Sequence, residues 1–451
     1  MFRRWRAPER MTIEAITEGP ILRPVVKLSA ALSLGALLNM VTMLVDRVFV
    51  GEVGTVSMAA LGTALAALMV LVTFAIGLAM GTLATVARNV GAGRLDLASR
   101  SLVNGLYLSA AFGAFFAACS VFLPEHLLAA MDTPESLAGE ATGYLRISMA
   151  GLVLHAPMMA VAFGLQGAGR ARDALMLSAA SAALTVLLDP LFIFTFGLGA
   201  AGAAMAGVVS HGAGLALAVY IVVKGPLRPK KEDWRPDAAL IRRIAVVGLP
   251  SSFEQVVRTV AGAALVKFIS PFGAEVVSAY TCGVGVLMVL ITPGIAIGQA
   301  TAALVGQNLG AGKNRRAWRT AWYACGLYAG LMVVAATVVY AFAPTFIALF
   351  DDNAAVIAEG ERMLRWGVLC FPLLAVAMVL SRAFAGAGQT VPALLVAAIA
   401  HLCVQLPAVA FLIGRMGPQG AYLGMTIAFC VHGTLAAVWF HRRFHHWRAP
   451  A

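Results

Sequence analysis

Charged residues are scarce in this chain: they make up 12% of its 451 residues, against about 25% in soluble domains. Apolar residues make up 61% and form runs of roughly 20 residues or more, long enough to cross a hydrocarbon core of about 30 Å as helices. A membrane barrel would instead need alternating segments of about ten residues. We therefore predict an all-α polytopic membrane protein with twelve spans, near residues 24–50, 57–86, 101–123, 142–165, 174–197, 202–223, 244–270, 276–305, 320–343, 363–384, 392–414 and 421–440.

The sequence also lacks the motifs of several catalytic and metal-binding classes. Its six cysteines show no CxxC spacing, so we expect neither a zinc site nor disulfides. No GxxxxGK[ST] sequence is present, so ATP hydrolysis is not indicated. Neither Gly-x-Gly-Asp nor His-Glu-x-x-His occurs, which disfavours an intramembrane enzyme. We expect no cofactor.

The chain has a net charge of +12, and its basic residues fall mainly on one side of the predicted membrane. With the N-terminus inside, basic residues collect in the N-terminal arm (3–23), in 224–243, in 313–319 and in the tail (442–448), while the opposite loops are acidic or neutral. This asymmetry follows the positive-inside rule, and twelve spans place both termini in the cytoplasm. We expect an uncleaved first span, a bacterial inner membrane location, contact with membrane lipid, a monomer and no binding of nucleic acid.

The sequence contains an internal repeat with an offset of 219 residues. Gly-Ala-Gly at 91–93 recurs at 310–312, and the copy at 167–169 recurs at 386–388. Duplication in an apolar chain is typical of secondary transporters, and an even number of spans per half relates the halves by an axis along the membrane normal. We predict two pseudo-symmetric six-helix lobes, residues 1–223 and 244–451, joined by a basic cytoplasmic linker, 224–243.

Two aspartates lie within the predicted spans of the first half. Asn39 and Asp46 are seven residues apart and share one helix face, as do Thr185 and Asp189. Pro190 follows Asp189 and removes a backbone hydrogen bond, which bends the helix. Ionisable groups at membrane depth usually mark a pathway or relay. Two carboxylates facing one dry cavity would take up a proton, coordinate Na⁺ or attract a cationic ligand.

The second half carries Glu254 and Arg258, four residues apart on span 7. They either neutralise each other or line a central cavity together with Gln255 and Tyr280. Met43, near the Asp46 face, is a further candidate for this cavity. Four histidines lie within spans and are expected to make hydrogen-bonded interhelical contacts: His155, His211, His401 and His432.

Five segments resemble the multidrug and toxic-compound extrusion (MATE) transporters. Residues 45–54 and 59–62 resemble the family's Val-Asp-x-x-Phe-Val-Gly-x-x-Gly signature and the Ala-Ala-Leu-Gly that follows it, and residues 187–194 its Leu-Asp-Pro motif. Residues 307–312 resemble its loop after span 8, and residues 248–250 its start of span 7. The resemblance covers about residues 20–440.

The resemblance implies an export cycle in which two six-helix lobes alternate between inward-open and outward-open states, driven by H⁺ or Na⁺. It implies a cation-coupling cluster at Asn39, Asp46, Thr185 and Asp189, with Tyr144 where one branch carries a tyrosine. Ala162 stands where that branch often has a polar residue, which favours H⁺ over Na⁺ at Asp46 and Asp189. Span 10 lacks the acidic residue of other branches.

The function predicted from sequence is therefore a cation-coupled antiporter that exports amphipathic, often cationic, organic compounds. One alternative is a flippase for lipid-linked precursors from the wider superfamily. Another, from a different class, is an intramembrane enzyme that uses paired aspartates as general acid and base. The sequence leaves the substrate, the coupling ion, the organism and the structural or cavity-lining role of Glu254 and Arg258 open.

Overall fold

The structure is a computed structural model that describes residues 18–445, and all regular secondary structure in that range is helical. The α-helices are α1 Leu22–Val53, α2 Thr55–Gly91, α3 Leu95–Cys119, α4 Leu123–Ala129, α5 Glu135–Gly167, α6 Ala171–Pro190, α7 Gly199–Val223, α8 Ala238–Ile269, α9 Ala274–Gly310, α10 Asn314–Ala348, α11 Ala354–Gly367, α12 Phe371–Gly386, α13 Thr390–Ala398, α14 Leu406–Met416 and α15 Pro418–His445. The all-α prediction is confirmed.

Helices occupy all twelve predicted spans. Within the described residues, eleven helical segments are long and apolar enough to cross a membrane. The remaining span, 244–270, lies in α8, where Glu254, Gln255 and Arg258 interrupt the apolar run. Two spans contain π-helical turns, Leu191–Thr195 directly after α6 and Ile399–Gln405 between α13 and α14. The sequence predicted a bend near Pro190, but it did not predict the π-helical turns.

The described chain divides into two compact units. The N-terminal lobe comprises residues 30–252, and the C-terminal lobe comprises residues 253–445 together with 18–29. The division falls inside α8, so the basic segment 224–243 and the first part of α8 belong to the N-terminal lobe. The domain boundaries stated from the sequence stay a prediction.

The basic segment 224–243 is packed against α3. Arg100 forms an ion pair with Asp237 at 3.2 Å, and the Asp237 backbone N–H donates to Asn104 Oδ1 at 2.8 Å. Tyr107 donates its hydroxyl hydrogen to the Trp234 carbonyl at 2.8 Å. These contacts hold the segment on the N-terminal lobe. The arginines of the N-terminal arm up to residue 17 and Arg448 of the tail lie outside the described residues.

The repeated Gly-Ala-Gly sequences end four helices with the same cap. In each, the last glycine takes a positive φ of 70–76°, and the next residue donates its N–H to a carbonyl five residues earlier at 2.8–2.9 Å. This is the Schellman arrangement, which favours glycine because a Cβ would be strained at that φ. The donor–acceptor pairs are Arg94–Asn89, Arg170–Leu165, Lys313–Asn308 and Gln389–Phe384.

The first glycines of two caps also sit against a neighbouring backbone at equivalent places. A Cβ on Gly167 would lie 2.4 Å from the Leu83 carbonyl oxygen, and one on Gly386 would lie 2.2 Å from that of Ala302. Leu83 and Ala302 are themselves related by the repeat offset of 219. The duplicated sequence thus preserves the contact that brings two helices of each lobe together.

We predict that Gly386→Ala lowers the stability of the protein by about 1–3 kcal/mol, because the methyl group forces two helices apart. Thermal unfolding in detergent measures this as a lower midpoint, and Gly167→Ala should behave alike. Gly330→Ala in α10 is the control, since a Cβ there meets no atom within 4 Å. Equal midpoints for Gly386→Ala and Gly330→Ala would contradict the prediction.

Candidate functional site

Two carboxyl groups meet inside the N-terminal lobe. Asp46 lies on α1 and Asp189 near the end of α6, and their carboxyl groups are within hydrogen-bonding reach of each other. The Asp189 side chain is fully buried, whereas Asp46 is partly exposed. One oxygen of Asp46 and both oxygens of Asp189 are buried without a hydrogen-bond donor from the described chain. Because carboxylates only accept hydrogen bonds, two ionised groups cannot satisfy each other.

Tyr144 on α5 borders this aspartate pair. It lies close enough to both aspartates and to Ser148 to interact with them electrostatically. Its ring belongs to a buried apolar cluster that includes Val50. The cluster keeps the local dielectric low, which strengthens the repulsion between two nearby negative charges.

A π-helical turn fixes the end of the helix that carries Asp189. Pro190 has no N–H, so one hydrogen bond of the helix is missing there, and the widened turn Leu191–Thr195 follows at once. Phe194 of this turn packs edge-to-face on Phe49 of α1, with ring centroids 6.0 Å apart. This contact joins α1 to the turn that follows Asp189.

The other three residues predicted near this site are Thr185, Asn39 and Met43, and their surroundings differ from those of the aspartate pair. The Thr185 hydroxyl is buried but donates to the Ser181 carbonyl of its own helix at 3.0 Å. Asn39 is exposed, and its side chain makes no hydrogen bond with residues 18–445. Met43 is 38% exposed. The structure thus brings Asp46, Asp189 and Tyr144 together, without Asn39.

Glu254 and Arg258 form the ion pair that their spacing predicts. Arg258 Nη1 donates to Glu254 Oε1 at 2.9 Å, and Nη2 donates to Gln255 Oε1. The Glu254 side chain is 4% exposed and that of Arg258 25% exposed. Tyr280 is buried on α9, where it interacts electrostatically with Tyr422. Three of the four residues predicted here are therefore in direct contact.

The four histidines form two interhelical pairs, one stacked and one hydrogen-bonded. The rings of His155 and His211 stack with centroids 4.0 Å apart. His401 Nε2 lies 3.1 Å from His432 Nδ1, and His401 Nδ1 lies 2.8 Å from Gln405 Oε1. The π-helical turn Ile399–Gln405 carries both His401 and Gln405.

Arg382 is a polar residue that the sequence analysis did not assign to a site. It lies four residues before the Gly-Ala-Gly turn at 386–388. In the structure it lies on α12 inside the C-terminal lobe and interacts electrostatically with Glu254 and Arg258. The apolar residues on both sides of Arg382 are the only signal in the sequence that could have revealed this.

The comparison with protein families matches the architecture described above. The MatE family model matches residues 31–191 and again residues 250–410. Both ends of the second match lie 219 residues beyond those of the first, which is the offset of the internal repeat. The chain belongs to the MatE family.

Relatives of this MatE protein are named as multidrug resistance proteins. It is 25% identical over 438 residues to the probable multidrug resistance protein YpnP of Bacillus subtilis, covering 96% of this chain and 97% of YpnP. It is 24% identical over 422 residues to a probable multidrug resistance protein NorM of Thermotoga maritima, covering 89% and 88%. A FAD transporter of Shewanella oneidensis is 23% identical over 308 residues, covering 67% and 68%.

Solved structures share the fold of this MatE protein. An outward-facing multidrug resistance MATE transporter matches with a TM-score of 0.92 at 23% identity, and a MATE in the straight conformation matches with 0.91 at 23%. Each match covers 98% of this chain and 100% of the other. These findings confirm the twelve-helix fold in two lobes. The chain is an integral membrane transporter and not an enzyme.

We predict that Glu254→Gln lowers the unfolding midpoint, because it leaves the Arg258 guanidinium without its anion. The loss should reach at most about 3 kcal/mol, the lower range for a broken buried pair, since Arg258 is partly solvated. The double variant Glu254→Gln/Arg258→Gln should unfold closer to the native protein, because it removes the Arg258 charge together with its anion. A double variant less stable than either single one would show that the two residues do not act as a pair.

Proposed function

We propose that this transporter exports small organic compounds in exchange for protons, and that the aspartate pair Asp46–Asp189 carries the proton. The observation that supports this proposal is the set of three buried carboxyl oxygens without a donor. One proton shared between the two groups supplies the missing hydrogen-bond donor and removes one of two repelling charges.

The oxygen ligands available at the Asp46–Asp189 pair favour H⁺ over Na⁺ as the coupling ion. Asn39 is exposed and does not join the aspartate pair, and Ala162 has no side-chain oxygen. Hard cations such as Na⁺ require several oxygen ligands at once. The two carboxyl groups alone are enough for a proton.

The position of the pair suggests how protonation drives alternating access. A coupling ion drives the cycle only if it binds the two states of the transporter with different affinity. Asp189 adjoins Pro190 and the π-helical turn, where the helix already lacks a hydrogen bond. We propose that protonation favours one bend of this helix and deprotonation the other.

The exported compounds follow from the relatives. Proteins similar over nearly the whole chain are named as multidrug resistance proteins, which supports efflux of diverse organic compounds. The distribution of basic residues supports cytoplasmic termini, and we expect a bacterial inner membrane location and a monomer.

We predict that Asp46→Asn and Asp189→Asn each reduce proton-driven efflux at least tenfold. The measurement is release of a fluorescent organic dye from proteoliposomes under an imposed pH gradient, with a parallel Na⁺ gradient. Asp132→Asn is the matched control, because Asp132 is an exposed loop residue at φ 51°, a conformation that asparagine also adopts. It should transport normally.

The outcomes of this experiment separate the candidate functions. Flux that follows the Na⁺ gradient and not the pH gradient would overturn proton coupling. Flux unaffected by either aspartate substitution would remove the pair from the coupling mechanism. No dye flux in folded protein, together with scrambling of a labelled lipid-linked precursor, would favour the flippase.

We also predict that substrate binds more tightly as pH rises. If the pair must release one proton before substrate binds, the dissociation constant falls by up to about tenfold per pH unit until the pair is fully deprotonated. Fluorescence anisotropy with a dye that does not itself titrate measures this in detergent. Asp189→Asn should flatten the dependence, whereas Asp132→Asn should preserve it. A native protein with a flat profile would contradict competition between proton and substrate.

A further inference from the structure

The interior of the C-terminal lobe holds one positive charge that no anion balances. Arg258 is paired with Glu254 at 2.9 Å. Arg382 interacts electrostatically with both of these residues, yet it forms no hydrogen bond and no ion pair within residues 18–445. The three side chains together carry one uncompensated positive charge.

Arg382 is directed towards the interior of its lobe. Side chains of a helix tilt towards its N-terminus, so this guanidinium points away from the cap at Gly386. The aliphatic stem passes Gly298 of α9, where a Cβ would lie 2.8 Å from Arg382 Cγ. Gly298 is twelve residues before the end of α9 at Gly310, a distance of about 18 Å along the helix. Arg382 is therefore packed against the middle part of α9, one turn before the end of its own helix at Gly386.

The groups that face this charge add no second anion. His401 interacts electrostatically with Arg258 and Glu254, and His432 with Arg258. Both imidazoles are buried and lie within hydrogen-bonding distance of each other, and an imidazole supplies no negative charge. Glu254 is the single carboxylate among the groups that act on Arg382, and Arg258 already holds it.

An unbalanced guanidinium away from bulk water is costly, by several kcal/mol at membrane depth. Arg382 and Arg258 nevertheless each keep part of their surface accessible. A guanidinium binds a carboxylate or a phosphate through two parallel N–H···O bonds. We propose that Arg382, supported by Arg258, binds an acidic group, carboxylate or phosphate, of the exported compound. This inference rests on the proposed export function, and it assigns zwitterionic and anionic compounds to the substrate range.

The test uses a matched pair of dyes: a xanthene dye with a free carboxylate and the methyl ester of the same dye. Their dissociation constants are measured at equilibrium on purified protein in nanodiscs of phosphatidylcholine. The native protein should prefer the acid to the ester. Arg382→Gln should lose about tenfold in affinity for the acid and little for the ester. Arg382→Lys should retain part of the preference, because it keeps the charge.

Arg415→Gln is the matched control, since it removes one exposed positive charge from the same lobe, and it should keep the full preference. A native protein without preference for the acid, or an Arg382→Gln variant that keeps it, would overturn the proposal. If Arg382→Gln also loses affinity for the ester, the Arg382→Lys variant decides between the outcomes. A preference for the acid in Arg382→Lys supports the proposal, and the absence of that preference overturns it.

Two further arms identify the source of the acidic group. Nanodiscs containing phosphatidylglycerol show whether an anionic lipid headgroup takes the site, and loss of the acid preference there would overturn assignment to a transported compound. Competition by inorganic phosphate, lost in Arg382→Gln, would support a site that also accepts phosphate esters. Because no ion gradient is used, a failure of proton coupling leaves the result unchanged, so the two proposals fail separately.

Discussion

The free-energy cost of placing a charge away from water determines which residues of this transporter can bind a proton or a ligand. Nearly all of its helix surface is apolar, so each ionisable group within a lobe must find a partner or be neutralised. Glu254 and Arg258 meet this requirement by pairing with each other. Asp46 and Asp189 do not, since each offers the other only acceptors. Ionisable residues that find no partner of opposite charge within their lobe are therefore the ones that we propose bind a proton or a ligand.

Duplication supplied the scaffold, and later divergence supplied the charges. The four Schellman caps and the glycine contacts at Leu83 and Ala302 are the same in both halves. The ionisable residues are not: Asp46 and Asp189 correspond to Leu265 and Ala408 at the repeat offset. In the reverse direction, Glu254, Arg258 and Arg382 correspond to Gly35, Asn39 and Phe163. The aspartate pair of one lobe and the Arg382 site of the other therefore have no counterpart at the repeat offset.

Features set by composition and local spacing could be predicted from the sequence. The spans follow from apolar runs, the caps from glycine, and the Glu254–Arg258 pair from a spacing of four on one helix. Asn39 shows the limit of such reasoning. It shares a face with Asp46, but seven residues separate them by about 10 Å along the helix, and Asn39 is exposed. Arg382 and His401 depend on contacts between distant helices and on a π-helical turn, which periodicity does not encode.

The opposite charge of the two interiors bears on how exchange would work. A proton that enters the Asp46–Asp189 pair reduces a negative charge, and an acidic group that binds at Arg382 reduces a positive one. Binding of either ligand lowers the electrostatic free energy of the lobe that binds it. Each ligand can therefore favour a change of state while the other ligand is absent. Antiport requires this independence, since the transporter must return loaded with the proton alone after it has released the compound. Placing the two sites in different lobes therefore suits exchange better than placing both charges in one cluster, where they would neutralise each other with neither ligand bound.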